Sequence, residues 1–173
     1  QPDGSPGGGP MKVGVAVCDL FTGMFAANAA LAALAYRSRN GIGQHIDCAL
    51  LDSQISMLVN QSANWLNAEI CPDRMGNSHP SVVPYTVYEA KDGFVIIACG
   101  NDKQFIRLTA ALGTPALADD DNFASNEARI KNRNRLDAVL SDIIAKLDRV
   151  QVIDKLETAG VSCGPINDIA EVF

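Results

Sequence analysis

A chain of 173 residues with Lys+Arg 14 against Asp+Glu 20, a formal net charge of -6, and 47% hydrophobic residues has enough apolar material for a core of about one domain. The acid excess excludes a general affinity for nucleic acid or anionic membrane, which needs a clustered Lys/Arg surface, and 6% aromatics excludes a base-stacking platform. An anionic ligand has to be held by a local site.

Residues 1–10 are Gly, Pro, Ser and a single acid after the leading Gln, the composition of a loop or linker, with no basic and apolar regions of a secretory leader. No window approaches the roughly 18 to 20 continuous apolar residues of a membrane helix. The expected location is the cytoplasm, or the mitochondrial matrix if the source is eukaryotic. The five cysteines, Cys18, Cys48, Cys71, Cys99 and Cys163, are odd in number and irregularly spaced, with only His45 and His79 to join them. Reduced, buried thiols are expected in place of a disulfide framework or a metal site.

Residues 13–17 form a short apolar run with strand character. Residues 23–39 predict a helix whose alanines, Ala26 to Ala35, face nearly every direction, as in a helix packed deep between other elements. Asn40 to Gly43 supply its stop, with Arg37 and Arg39 in the last turn to offset the dipole. Residues 44–49 alternate as a strand does, and Asp52 caps a second helix running to about Asn67. Asp47 reads as a hydrogen-bonding structural residue and His45 as a surface or packing residue.

The stretch 69–84, with Pro72, Gly76, Pro80 and Pro84, is too punctuated for a helix. Strands are predicted over 85–89 and 94–99, joined as a hairpin through Ala90-Lys91-Asp92-Gly93. Asn101 and Gln104 have the spacing of a capping box for a helix to about Leu112, as do Asp148 and Gln151 for a helix ending at Gly160. Ser125 caps a long helix over 126–147, on which Lys131, Arg133 and Arg135 alternate with Asn132 and Asn134 as a solvated face. Asn167 begins a last helix. The class is mixed α/β, with the C-terminal half as a small α+β domain.

In Val17-Cys18-Asp19-Leu20-Phe21-Thr22-Gly23-Met24 a carboxylate stands at the end of a strand-like run, just before a helix. Free N–H groups and the helix dipole stabilise such a carboxylate as an anion, which suits a nucleophile or base; they equally suit a plain helix cap. Cys18, as a strand neighbour of Asp19, would point to the opposite face.

The series D-x-x-T-G-M from Asp19, an alanine-rich helix, and Arg39-x-Gly41-x-Gly43-Gln44-x-Ile46-Asp47-x-Ala49-Leu50-Leu51-Asp52 resembles the class III CoA-transferases, the CaiB/BaiF family. Two later segments agree: Gly76-Asn77-x-His79-Pro80 with Pro84-Tyr85 and Asp92-Gly93, and Ala159-Gly160-Val161-x-x-Gly164-Pro165. The resemblance runs the length of the chain and implies a central piece of a longer protein. It assigns 1–70 to the end of a large Rossmann-like CoA-binding domain and 71–173 to a linker and small α+β domain, both incomplete.

The resemblance also implies a mechanism. Asp19 attacks an acyl-CoA thioester to form a mixed anhydride, and CoA thiolate opens the anhydride to an aspartyl-CoA thioester while the donor acid leaves. An acceptor carboxylate then runs the sequence backwards. CoA is a substrate here, not a resident cofactor, and no metal is implied. The partners are acyl-CoA and small carboxylic acids, with a homodimer, interlocked in full-length relatives. N–H groups around Thr22, Gly23 and Met24, and the Gly76 loop, would face the oxyanions. Relatives carry a glycine run in that loop where this chain has one glycine, so Asn77 and His79 either orient the acyl group or hold the turn. The same family implies an alternative, 2-methylacyl-CoA racemisation, in which the aspartate works with a histidine outside this chain. A third reading is an inert folded piece that serves only in assembly.

Overall fold

The computed structural model describes residues 12–173; the Gly/Pro-rich stretch 1–10 lies outside the described residues. The described residues fall into two compact units, one over 12–74 and one over 75–173.

The first unit is helical. Helix α1 spans Val17–Asn40, 24 residues, and ends at Gly41, whose φ of 71° lets its N–H reach back to the Arg37 carbonyl at 2.8 Å. Helices α2 (Leu50–Ser56) and α3 (Val59–Ala68) follow. Two expected strands, 13–17 and 44–49, are absent. A strand needs a neighbour to pair its N–H and C=O groups, and no described residue pairs with either segment. No parallel pair of the Rossmann kind therefore occurs among the described residues.

Helix α1 also starts six residues earlier than its alanines suggest, at Val17 in place of Gly23. It is not packed deep: none of its residues is buried, and Leu20, Phe21, Met24, Phe25, Leu31 and Leu34 are all exposed. By length and composition α1 is apolar enough to cross a membrane. Counting unbroken apolar runs passed over it, because Thr22, Gly23 and Asn28 interrupt the run without making the helix polar. The helix expected from Asp52 to Asn67 is two helices, broken at Met57 and Leu58, and Asp52 lies in the first turn behind an Ala49 cap.

The second unit carries the core. Strands β1 (Tyr85–Ala90) and β2 (Gly93–Ala98) form the expected antiparallel hairpin through Lys91 and Asp92, with Tyr85 opposite Ala98 and Ala90 opposite Gly93. Five helices come next: α4 (Asp102–Ala111), α5 (Ala116–Asp119), α6 (Asn126–Lys131), α7 (Arg133–Ile144) and α8 (Arg149–Thr158). Strand β3 (Ser162–Pro165) then pairs antiparallel with the far edge of β2, giving the order β1-β2-β3, and α9 (Ile169–Val172) closes the chain. Val95 and Ile97 of β2 pack against Phe105 and Leu108 of α4, Leu136, Leu140 and Ile144 of α7, and Val152 and Leu156 of α8 in one buried apolar cluster.

Most predicted caps occur. The Asn101 side chain accepts from Gln104 N–H at 3.0 Å, although Gln104 Oε1 returns to Gly100 N–H in place of Asn101. Ser125 accepts from Ala128 N–H, and Asp148 and Gln151 make the reciprocal box. The long helix over 126–147 is interrupted at Asn132, where α6 ends and α7 begins. The last helix is capped by Asp168, one residue after Asn167, with Glu171 N–H donating to its carboxylate.

Candidate active site

Asp19 lies within the first turn of α1, not ahead of it. The N-cap is Ala16, which has no side chain to cap with, and the first backbone bond of the helix runs from Leu20 N–H to the Ala16 carbonyl at 3.1 Å. Val17 N–H donates to the Val15 carbonyl at 2.9 Å, which leaves the N–H groups of Cys18 and Asp19 as the open ones of the first turn among the described residues, with the positive end of the dipole at Asp19. The Asp19 side chain is exposed, and no described residue hydrogen-bonds or ion-pairs with it. It is not the helix N-cap expected from the sequence.

Its neighbours are arranged around the helix. The Thr22 hydroxyl donates to the Cys18 carbonyl at 2.8 Å and is occupied by backbone. Gly23, one turn on from Asp19, has nothing within 4 Å of where a Cβ would stand. Met24 is 63% exposed. Because 17–24 is helical, Cys18 is not turned to the opposite face as a strand neighbour would be. Its thiol reaches the Leu50 carbonyl at 3.1 Å and ties the start of α1 to the start of α2. A cavity of about 270 Å³ in this unit is lined by Phe25, Asp47, Cys48, Asp52 and Ser53, without Asp19.

The other expected site residues belong to the 75–173 unit. Ser78 N–H closes a turn onto the Met75 carbonyl at 3.2 Å, with Gly76 at φ 62°, a conformation glycine adopts without a Cβ penalty. Gly76 and Asn77 form the exposed tip of this turn. His79 is held on three sides. Its N–H donates to the Tyr85 carbonyl at 2.9 Å, its ring stacks on Tyr85 with centroids 5.1 Å apart, and its Nδ1 accepts from Ser81 N–H at 3.1 Å. An accepting Nδ1 leaves the proton of the neutral ring on Nε2. These contacts fix His79 within the segment that follows the turn.

The sequence reading passed over what lies behind that loop. Arg133, expected on a solvated face, is half-buried and directs Nη2 to the carbonyls of His79 at 2.8 Å and Pro80 at 3.2 Å. Arg135, its side chain 60% exposed, lies over the Phe123 ring, and Lys131, paired with Glu127, is exposed too, so these two keep to the expected solvated face. One turn beyond Arg133, Asp137 accepts from the Tyr88 hydroxyl at 2.7 Å. Burial raises the Asp137 carboxyl, against the pull of the Tyr88 bond and the Arg133 charge, and burial with Asp137 beside it raises the Tyr88 hydroxyl far more. Among the described residues no cluster of His, Cys, Asp and Glu could hold a metal ion.

The motif order, the exposed aspartate at a helix start and the anchored Gly-Asn-x-His-Pro loop accord with one further result: the family model described as CoA-transferase family III matches residues 1–173. The chain belongs to CoA-transferase family III. It is 46% identical over 170 residues to a succinate–glutarate CoA-transferase of Agrobacterium fabrum, covering 98% of this chain and 42% of that protein. It is 39% identical to a mouse succinyl-CoA:glutarate CoA-transferase, covering 98% of this chain and 39% of the relative. A solved CaiB/BaiF family structure from Brucella suis superposes with a TM-score of 0.76 at 45% identity, covering 99% of this chain and 46% of that one. The chain thus spans less than half the length of the family members it matches.

Proposed function

We propose that the protein containing this chain moves CoA between small dicarboxylic acids, with Asp19 as its covalent nucleophile. The observation that carries the reading is an exposed carboxylate in the first turn of a 24-residue helix, within a family that includes relatives named succinate–glutarate and succinyl-CoA:glutarate CoA-transferase. At a helix start the carboxylate is exposed and its nucleophilic lone pairs are not taken by hydrogen bonds among the described residues.

In the first step an Asp19 oxygen attacks the thioester carbonyl and CoA leaves as thiolate. The thiolate then attacks the Asp19 carbonyl of the anhydride, and the donor acid departs as its carboxylate. The acceptor carboxylate attacks the aspartyl thioester, thiolate leaves again, and its return to the acyl carbonyl frees Asp19. No net proton is consumed, so an acid-base partner is not needed. The N–H groups of Cys18 and Asp19 at the start of α1 are the proposed donors to the oxyanion on the carbonyl that Asp19 attacks; in the other unit, the Gly76–Asn77 turn is separately proposed to meet the acyl group. The remainder of the protein, as a Rossmann-like large domain and a second subunit, is proposed to hold the nucleotide and cover the apolar face of α1. The 173 residues alone are then expected to be inactive.

Trapping tests this. Full-length protein turning over succinyl-CoA with glutarate is treated with hydroxylamine and digested, and a hydroxamate is expected at Asp19. Asp19→Asn is expected to lower kcat by roughly 10³-fold or more, the scale of losing a covalent nucleophile. An unlabelled Asp19 in an enzyme that exchanges the acids removes it from the role. The racemase alternative finds no support among the named relatives; exchange of the α-proton with deuterated solvent, without acid exchange, would restore it.

A further inference from the structure

We infer that Arg133 is the positioning residue for the Gly76–Asn77 turn, clamping the trailing limb of the loop so that its tip is presented in one conformation. The inference rests on the reading above, in which that turn meets the reacting acyl group.

Between the turn and β1 the chain has no secondary structure of its own, so its carbonyls must find partners elsewhere. The carbonyls of His79, Pro80, Ser81 and Val83 find them on one strip of α6 and α7, and that of Pro84 accepts from Cys99 N–H at 2.9 Å. Asn126 donates to the Ser81 carbonyl at 2.9 Å and accepts from Val83 N–H at 3.1 Å, and Arg129 Nε donates to the Val83 carbonyl at 2.7 Å. Arg133 takes the carbonyls of His79 and Pro80 with a single Nη2. Asn126 and Arg129 therefore fix where the loop enters β1; where it leaves the turn, the Ser78 hydroxyl donates to Thr86 Oγ1 at 3.1 Å, His79 N–H donates to the Tyr85 carbonyl, and Arg133 adds the one charged donor.

The tip differs from this limb. Gly76 and Asn77 are exposed, and among the described residues no side chain reaches back to hold them. Their placement depends on the segment behind, and there the charged donor is Arg133. One turn further along α7, Asp137 carries the opposite charge and is held by the Tyr88 hydroxyl at 2.7 Å, without an ion pair to Arg133. A guanidinium suits the task because its planar fork keeps its charge and direction while serving two acceptors.

A loop that meets the reacting acyl group acts in the transition state, so loosening it lowers kcat more than it raises KM. The test uses the full-length protein with Arg133→Gln, Arg133→Lys and, as a control on the exposed side of α7, Asn134→Ala. Amide exchange is followed over 75–83 and over α7, together with kcat and KM for acyl-CoA. In Arg133→Gln exchange over 75–83 is expected to quicken about tenfold, the scale of one lost charge-assisted hydrogen bond. kcat should fall about tenfold with KM held within about twofold. Arg133→Lys should recover part of both, and Asn134→Ala should change neither.

Unchanged exchange over 75–83 in Arg133→Gln, with α7 still protected, overturns the clamp. So does a loosened loop with kcat intact. If α7 itself loses protection in Arg133→Gln, Arg133→Lys decides: a slack 75–83 beside an intact α7 supports the clamp, and an unaltered loop overturns it. A wild-type protein that transfers no CoA sinks the transferase reading alone, because the exchange comparison still decides whether Arg133 holds the turn.

Discussion

The Arg129 guanidinium, fully buried, lies 4.4 Å over the Phe105 ring and donates from Nη2 to Asp102 Oδ1 at 2.8 Å. Its other nitrogens reach the carbonyls of Val83 and Phe123 at 2.7 and 2.9 Å. One cation thus joins α6, the start of α4 and the loop entering β1, and its burial is tolerated because each part of the fork is bonded.

Arg129→Met keeps the volume and removes those bonds. Two buried carbonyls lose their donor, while Asp102, 54% exposed on its side chain, turns to water. A loss of about 3 kcal/mol is expected, read by chemical denaturation; a change below about 0.5 kcal/mol would show that the fork only packs.

Gly23 is a glycine inside a helix with nothing near its Cβ position. Gly23→Ala should stabilise α1 by about 0.5–1 kcal/mol, since glycine is the poorer helix former. If the space beside Asp19 is where substrate approaches, the same methyl lowers kcat/KM in the full-length protein. A gain in stability with unaltered turnover would mean that no substrate passes over Gly23.

Asp137 gives a pH signature. Its carboxyl is raised by burial, so the folded state binds more protons than the unfolded chain between the ordinary aspartate pKa and the raised one. Stability therefore falls as pH rises through that window. Asp137→Asn, which can still accept from Tyr88, should lack this fall. The difference is less than about 1 kcal/mol, because the group is partly solvated, and it is measured as melting temperature against pH for both proteins. Parallel curves would contradict it.

The thiols should separate by reactivity. Cys71 is exposed, whereas Cys99 is buried and its thiol is pushed up to about 11. Maleimide labelling of native protein near pH 8 should modify Cys71 readily and spare Cys99 until the protein unfolds. Early labelling of Cys99 would show that the β2 edge opens on its own.

Local signals read well in the 75–173 unit. The Asp92-Gly93 hairpin and the caps at Asn101, Ser125 and Asp148 stand where their residues put them, because a turn or a cap is decided by neighbours in sequence. The 12–74 unit misled for the opposite reason. The alternation at 44–49 and the apolar run at 13–17 have strand composition, but a strand is completed by a partner, and none is present among the described residues. β3 passed unread because Ser162-Cys163-Gly164-Pro165 has little strand propensity and takes its form from pairing with β2. At the site, Asp19 and the Gly76 turn were visible as motifs. Arg133 was not, since its partners His79 and Pro80 lie over fifty positions away.

The order β1-β2-β3 has a consequence for the sequence of events in folding. β1 and β2 can zip together as soon as Ala98 has emerged, for only Lys91 and Asp92 lie between them. The other edge of β2 must wait until α4 to α8 have been made and Ser162 arrives to meet Ala98. That pairing closes the longest loop in the sheet and carries its entropic cost. Until then β2 keeps an open row of N–H and C=O groups, so the period between synthesis of α4 and of β3 is when a nascent chain is most exposed to mispairing with another.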